Sequence, residues 1–165
     1  MRIGITGHQQ LDDPADWNWV SDTIRAELAK LSAPLIGVTS LALGADQLLA
    51  VLVLEKGGSI HAVLPYRDIE RSFSPEDLPA YKRLVAQADV EVLSTPGSDA
   101  DAYLAAGLRV ANLSDVLFAV WNGRPAVGKG GTADVVCYAA ERGIPLIHLN
   151  PVFRSVTRSG PSSAH

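Results

Sequence analysis

Short apolar runs alternate with helix-patterned segments along the chain, and this alternation restricts the fold more than any other feature. The strand-like runs are Arg2–Thr6, Leu35–Thr39, Ile60–Leu64, Val90–Ser94, Val116–Trp121 and Leu146–Leu149. Most are apolar throughout, as expected of parallel strands covered on both faces. Between the first two, Trp17, Val20, Ile24, Leu28 and Leu31 recur at spacings of three and four, the stripe of a helix with one buried face, and Asp13-Pro14 reads as its start. Leu43–Glu55 is apolar nearly all round and stops at Gly57-Gly58. Ser98 is placed to cap a helix running to Leu113, and Thr132–Arg142 reads as a last helix ending at Gly143. The pattern predicts a doubly wound, Rossmann-like α/β fold, with a mainly parallel sheet of about six strands and helices on both faces.

The chain has 165 residues, 47% of them apolar and 19% charged, enough for one domain with a substantial core. Residues 1–153 are expected to form it. The stretch 154–165 is polar and without pattern, and is expected to be disordered. A single cysteine, Cys137, excludes a disulfide framework and a cysteine-rich zinc module; its apolar neighbours suggest a core thiol. His8, His61, His148 and His165 show no metal-ligand spacing, so no metal is expected, and His61 and His148 fall within strands. The net charge of −4 argues against general nucleic-acid binding. The amino terminus enters a strand without a signal peptide, and the longest apolar run, Leu48–Leu54, is too short to span a membrane. Both point to a soluble cytoplasmic protein.

In doubly wound sheets ligands sit at the carboxyl ends of the strands, so the residues following each strand matter most. After the first come Gly7, His8 and Gln9, a turn glycine followed by two hydrogen-bonding side chains. After the second, Thr39 and Ser40 lead through Gly44 and Ala45 into a helix. Hydroxyls and free amides at such a junction suit a phosphate. Asp46, in the first helical turn, either stabilises the helix or meets a ribose hydroxyl. After the third strand come the ligand-binding candidates Pro65 and Tyr66, where Tyr66 could stack on a base and the following Arg67 could meet a phosphate or carboxylate.

The richest loop follows the fifth strand: Asn122, Gly123 and Arg124, then Gly128, Lys129, Gly130, Gly131 and Thr132 entering a helix. Gly123–Lys129 satisfies G-x-x-x-x-G-K, but Gly130 follows where a P-loop needs a magnesium-binding Ser or Thr. The dinucleotide fingerprint fails as well, since Gly4 and Gly7 are followed by His8. An anion-binding glycine loop remains, with Lys129 or Arg124 to offset charge.

Three segments together resemble the SLOG superfamily, which takes in the Lonely Guy proteins and the Rossmann-like domain of DNA-processing protein A. They are Gly4-Ile5-Thr6-Gly7-His8, Gly44-Ala45-Asp46 and Gly130-Gly131-Thr132-Ala133-Asp134. The resemblance spans roughly residues 1–150. It implies a nucleotide or nucleotide-derived ligand at these loops, a homodimer, and in some members hydrolysis of the N-glycosidic bond of nucleoside monophosphates. Those hydrolases carry P-G-G-x-G-T-x-x-E with the glutamate catalytic, whereas Val135 stands at that position here. Asp134 is one residue early, about 100° around the helix. Valine can neither exchange a proton nor stabilise a cationic centre.

The favoured expectation is therefore a sensor or carrier that binds a nucleotide-type small molecule, with no certain cofactor. A phosphoribohydrolase using Asp46 or Asp134 in an unfamiliar geometry is the alternative, and an interaction protein is a third.

Overall fold

A computed structural model describes residues 1–125 and 131–160 of the chain. It contains strands β1 (Arg2–Gly7), β2 (Ile36–Thr39), β3 (Ser59–Leu64), β4 (Ala88–Val92), β5 (Val116–Val120), β6 (Leu146–Asn150) and β7 (Ser155–Ser159). The helices are α1 (Asp16–Ala29), α2 (Ala45–Glu55), α3 (Leu78–Val85), α4 (Asp99–Leu113) and α5 (Thr132–Glu141), with a 3₁₀ turn at Ile69–Ser72. The strands form one sheet in the order β4-β3-β2-β1-β5-β6-β7. Every pairing is parallel except β6 with β7. The chain winds outward from β1 to β4, then returns to lay β5 against the other side of β1. This is the doubly wound α/β arrangement the alternation predicts.

Side-chain alternation along the strands divides the apolar residues between two faces. On one, Ile3 and Ile5 of β1 and Phe118 of β5 pack against Val20, Ile24 and Leu28 of α1 and Leu49 and Leu52 of α2. The same layer continues toward β4, where Ile60, Ala62 and Leu64 meet Tyr81 and Leu84 of α3. On the other face, Val38, Val63, Leu117 and Ala119 pack on Ala106 and Val110 of α4 and on Val135 and Ala139 of α5. Three helices thus cover one face and two the other. The reciprocal capping box between Ser98 and Asp101 fixes the start of α4 at the expected residue.

Three local features differ from the sequence expectation. The segment 155–159 forms β7, where the polar composition suggests disorder. Its Val156 packs against the core, Arg158 pairs with the buried Glu27 of α1, and Arg154 bonds Asp16 at 2.9 Å. Edge pairing to β6 satisfies the backbone groups that face that strand, and Val156 with the two arginine contacts anchors the rest. A further helix, α3, occupies a stretch to which the sequence pattern assigns no element, because Tyr81 and Leu84 supply a short apolar face. Cys137 is exposed: it lies two residues from the buried Val135 and Ala139 of α5 and so faces away from the core.

Burial tends to raise the pKa of Glu27, but hydrogen bonds from Lys30 and Arg158 outweigh it and hold the carboxyl below its ordinary range. The central strands also approach helix α2 closely. A Cβ on Gly7 would lie 2.6 Å from Ala45 Cβ and 2.9 Å from Val120 Cβ, too near for the packed backbone to absorb. Gly7→Ala is expected to destabilise the fold by about 1–3 kcal/mol. Urea denaturation checks this, and an unchanged midpoint with an unchanged slope would refute the close packing.

Candidate functional site

The reversal of winding between β1 and β5 opens a crevice at their carboxyl ends, and one residue organises its floor. The His8 amide donates to the Val120 carbonyl at 3.1 Å, and the His8 carbonyl accepts from the Ala45 amide at 3.2 Å. Its ring Nε2 accepts from the Asn122 amide at 3.1 Å. The ends of β1 and β5 and the start of α2 are thereby joined. Burial holds the His8 ring below its ordinary pKa, and the bond from Asn122 requires an unprotonated Nε2. Gly44 completes the junction with φ of +80°; a Cβ there would fall 2.5 Å from the His8 carbonyl oxygen. A left-handed backbone packed this closely needs glycine.

Above this floor lies a cleft of about 930 Å³. Of the residues singled out in the sequence, Gly7, His8, Gln9, Ser40, Asp46, Pro65, Asn122, Arg124, Gly131 and Thr132 line it. Thr39, Gly44, Ala45, Tyr66 and Gly123 are outside the lining, although most support it. Thr39 is fully buried, and its Oγ1 accepts from the Leu41 amide at 3.0 Å. Tyr66 stands behind the wall, its hydroxyl 2.8 Å from that of Tyr103. Gly128, Lys129 and Gly130 lie outside the described residues. Asp134 sits in the first turn of α5 outside the lining, whereas Val135 contributes to it.

Asp46 is the strongly perturbed group of the cleft. It is 8% exposed, and Oδ2 accepts from the amides of Ser40 at 3.2 Å and Ala42 at 3.4 Å. Burial pushes its pKa from 3.8 up to about 7, against the opposing pull of those amides. The charge-stabilising helix start is thus outweighed by desolvation, leaving a carboxyl that exchanges its proton near neutrality.

The opposite wall is apolar and aromatic, and the sequence gives little sign of it. Ala100, Tyr103, Ala106 and Gly107 of α4 line the cleft together with Ser72, Phe73 and Trp121. Ala100, Tyr103 and Gly107 follow helical spacing, a signal indistinguishable from ordinary core packing. Arg71 stiffens this wall: its guanidinium lies 4.7 Å from the Tyr66 ring centroid and makes two 3.1 Å hydrogen bonds to Asp99. Trp121 donates to the Arg124 carbonyl at 2.9 Å and lies against His148. Among the described residues no cluster of three His, Cys, Asp or Glu side chains could hold a metal ion, and no helix is long and apolar enough to cross a membrane.

The sheet order and the switch-point cleft define a doubly wound, Rossmann-like fold. Neither a protein-family model nor a curated protein matches the sequence. Solved structures do match the fold. DNA processing protein A from Streptococcus pneumoniae superposes with a TM-score of 0.64 at 18% identity, over 89% of this chain and 49% of that one. DNA processing protein A from Helicobacter pylori, described by its single-stranded DNA binding mode, gives 0.58 at 20% identity, over 90% of this chain and 64% of that one. The Moco carrier protein of Chlamydomonas rheinhardtii gives 0.54 at 22% identity, over 90% and 75%. The chain spans about half the length of the first and under two thirds of the second. This likeness removes the basis for excluding nucleic acid from the net charge of −4. A fold of this type accompanies single-stranded DNA binding in the Helicobacter protein, and a sum over the whole surface says nothing about charge within one groove.

Because the folded-state pKa of Asp46 is raised, the folded protein holds a proton that the unfolded chain releases between about pH 4 and 7. The contribution of Asp46 to stability is full below that window and is lost as pH rises through it. Asp46→Asn lacks this titration, so the stability of the variant relative to the wild type should increase from pH 4 to pH 7. Urea denaturation at several pH values measures it; a difference that stays constant would place the carboxyl in an ordinary, solvated setting.

Proposed function

We propose that this chain is a ligand-binding domain whose switch-point cleft takes a nucleotide or nucleotide-derived small molecule. One observation carries the reading: a cleft of about 930 Å³ gathers the β1 loop, the start of α2 and the start of α5 opposite an aromatic wall. In this reading the phosphate meets the free amides at Gly131 and Thr132, where the positive end of α5 opens into the cleft. Arg124, which lines the same cleft, offsets its charge. The heterocycle lies against Phe73, Tyr103 or Trp121, and Asp46 accepts from a ligand hydroxyl or amine. Val135 supports binding without hydrolysis, because a hydrocarbon in the wall replaces the glutamate of the related hydrolase motif.

A second reading, hydrolysis of an N-glycosidic bond, is favoured by Asp46: a cleft-lining carboxyl that exchanges its proton near pH 7 suits a general acid. Ribose 5-phosphate release from nucleoside monophosphates, abolished in Asp46→Asn, distinguishes it from simple binding.

The test is thermal unfolding against mono-, di- and cyclic nucleotides and a short single-stranded oligonucleotide, with tryptophan fluorescence reporting on Trp121. The oligonucleotide is included because of the Helicobacter structure of the same fold. A ligand at about a hundred times its dissociation constant adds ~2.7 kcal/mol, a rise of roughly 5–10 °C for a chain of this size. Gly131 has a φ of −76°, a backbone conformation open to every residue, so Gly131→Val is expected to fold and to lose that rise by blocking close approach to the helix start. A ligand-induced rise that Gly131→Val retains would remove the phosphate from α5, and the absence of a rise with every compound would refute the nucleotide reading.

A further inference from the structure

A second cavity of about 180 Å³ adjoins the cleft. His8 and Asn122 line both spaces, so the hydrogen-bonded ring and amide form a wall common to the two. The remaining lining combines Gln10 and Asp12 with the apolar Leu11, Pro151 and Val152. No hydrogen bond within the described residues engages the side chain of Gln10 or Asp12. Val152 of this lining is 47% exposed, and Phe153, the next residue in the chain and outside the lining, is 77% exposed.

These two residues are held in place by a buried side chain. Asn150, 8% exposed, accepts through Oδ1 from the amides of Val152 at 3.0 Å and Phe153 at 3.3 Å. Its Nδ2 donates to the Asn122 carbonyl at 3.4 Å. The turn between β6 and β7 is therefore tied to the same loop that separates the cavities. The fixed turn holds Val152 and Phe153 as adjacent apolar surface exposed to water.

The chemistry of the lining selects the occupant. A carboxylate and a carboxamide free of internal bonds can take vicinal hydroxyls, while a proline-valine wall, with the exposed Phe153 ring next to it in the chain, suits the C–H face of a saturated ring. A negative Asp12 disfavours a second phosphate there. We propose that the second cavity is a subsite for a polyhydroxyl ring carried by the nucleotide ligand, so that the ligand is two-part and crosses the His8–Asn122 wall. This rests on the nucleotide reading of the main cleft.

Isothermal titration compares the ribonucleoside diphosphates with their hexose esters and with pyrophosphate-linked dinucleotides, using wild type, Asp12→Ala and Phe153→Ala. Both substitutions are at exposed positions outside the main cleft. For a base that binds, the ring-bearing compound is expected to bind about tenfold more tightly than the bare diphosphate, and each substitution should remove that increment while leaving the diphosphate affinity unchanged. An increment for hexose esters alone assigns the ring to a sugar; one for dinucleotides alone assigns it to a second ribose. Equal affinities, or an increment that both variants retain, would overturn the subsite while leaving the nucleotide reading intact. If no nucleoside diphosphate and no ring-bearing compound binds, the nucleotide reading fails and the subsite falls with it.

Discussion

Three hydrogen bonds meet at His8, and the end of the molecule that holds the cleft depends on them. The backbone amide extends the β1–β5 ladder by bonding Val120, the carbonyl receives the first amide of α2, and the ring receives the amide of Asn122. Each bond reaches a segment distant in sequence, so one residue fixes the mutual position of the loops that carry the candidate site. The junction closes only because Gly7 and Gly44 lack side chains where β1, β5 and α2 converge. An uncharged ring is part of the same constraint, since protonated Nε2 could not accept from Asn122.

Around that junction the cleft divides by polarity. On the α2 side lie Asp46 and Ser40, with a carboxyl whose proton exchange is moved toward neutrality by burial. On the α4 side lie aromatic and small residues, stiffened through Tyr66, Arg71 and Asp99. A ligand with one hydrogen-bonding end and one flat apolar end matches this division. The second cavity extends the polar side past His8, with Asn150 binding the β6–β7 turn to the loop after β5.

Much of the fold was legible in the chain. The apolar strand runs, the stripe of α1 and the Ser98 capping signal each act through local geometry, and each corresponds to an observed element. The lining of the cleft was legible in part, because the strand-end rule points to positions such as Gly7, Ser40, Asp46 and Asn122. Tyr103 and Phe73 were hidden, since an aromatic on a helix or after a short turn reads as core until the neighbouring elements are placed. β7 was hidden for a related reason: a polar edge strand exists only by virtue of its partner, and Arg158 gains its role from Glu27, which lies far from it in sequence.

Local pattern along the chain sets the parallel sheet, the two helical layers and the glycines at the strand ends, because periodicity and backbone freedom are properties of neighbouring residues. Tertiary structure alone decided which loops share a cleft, that Asp46 is buried enough to exchange its proton near neutrality, and that Val135 rather than Asp134 lines the wall. Desolvation and the convergence of distant segments depend on three-dimensional packing, and no local pattern encodes them.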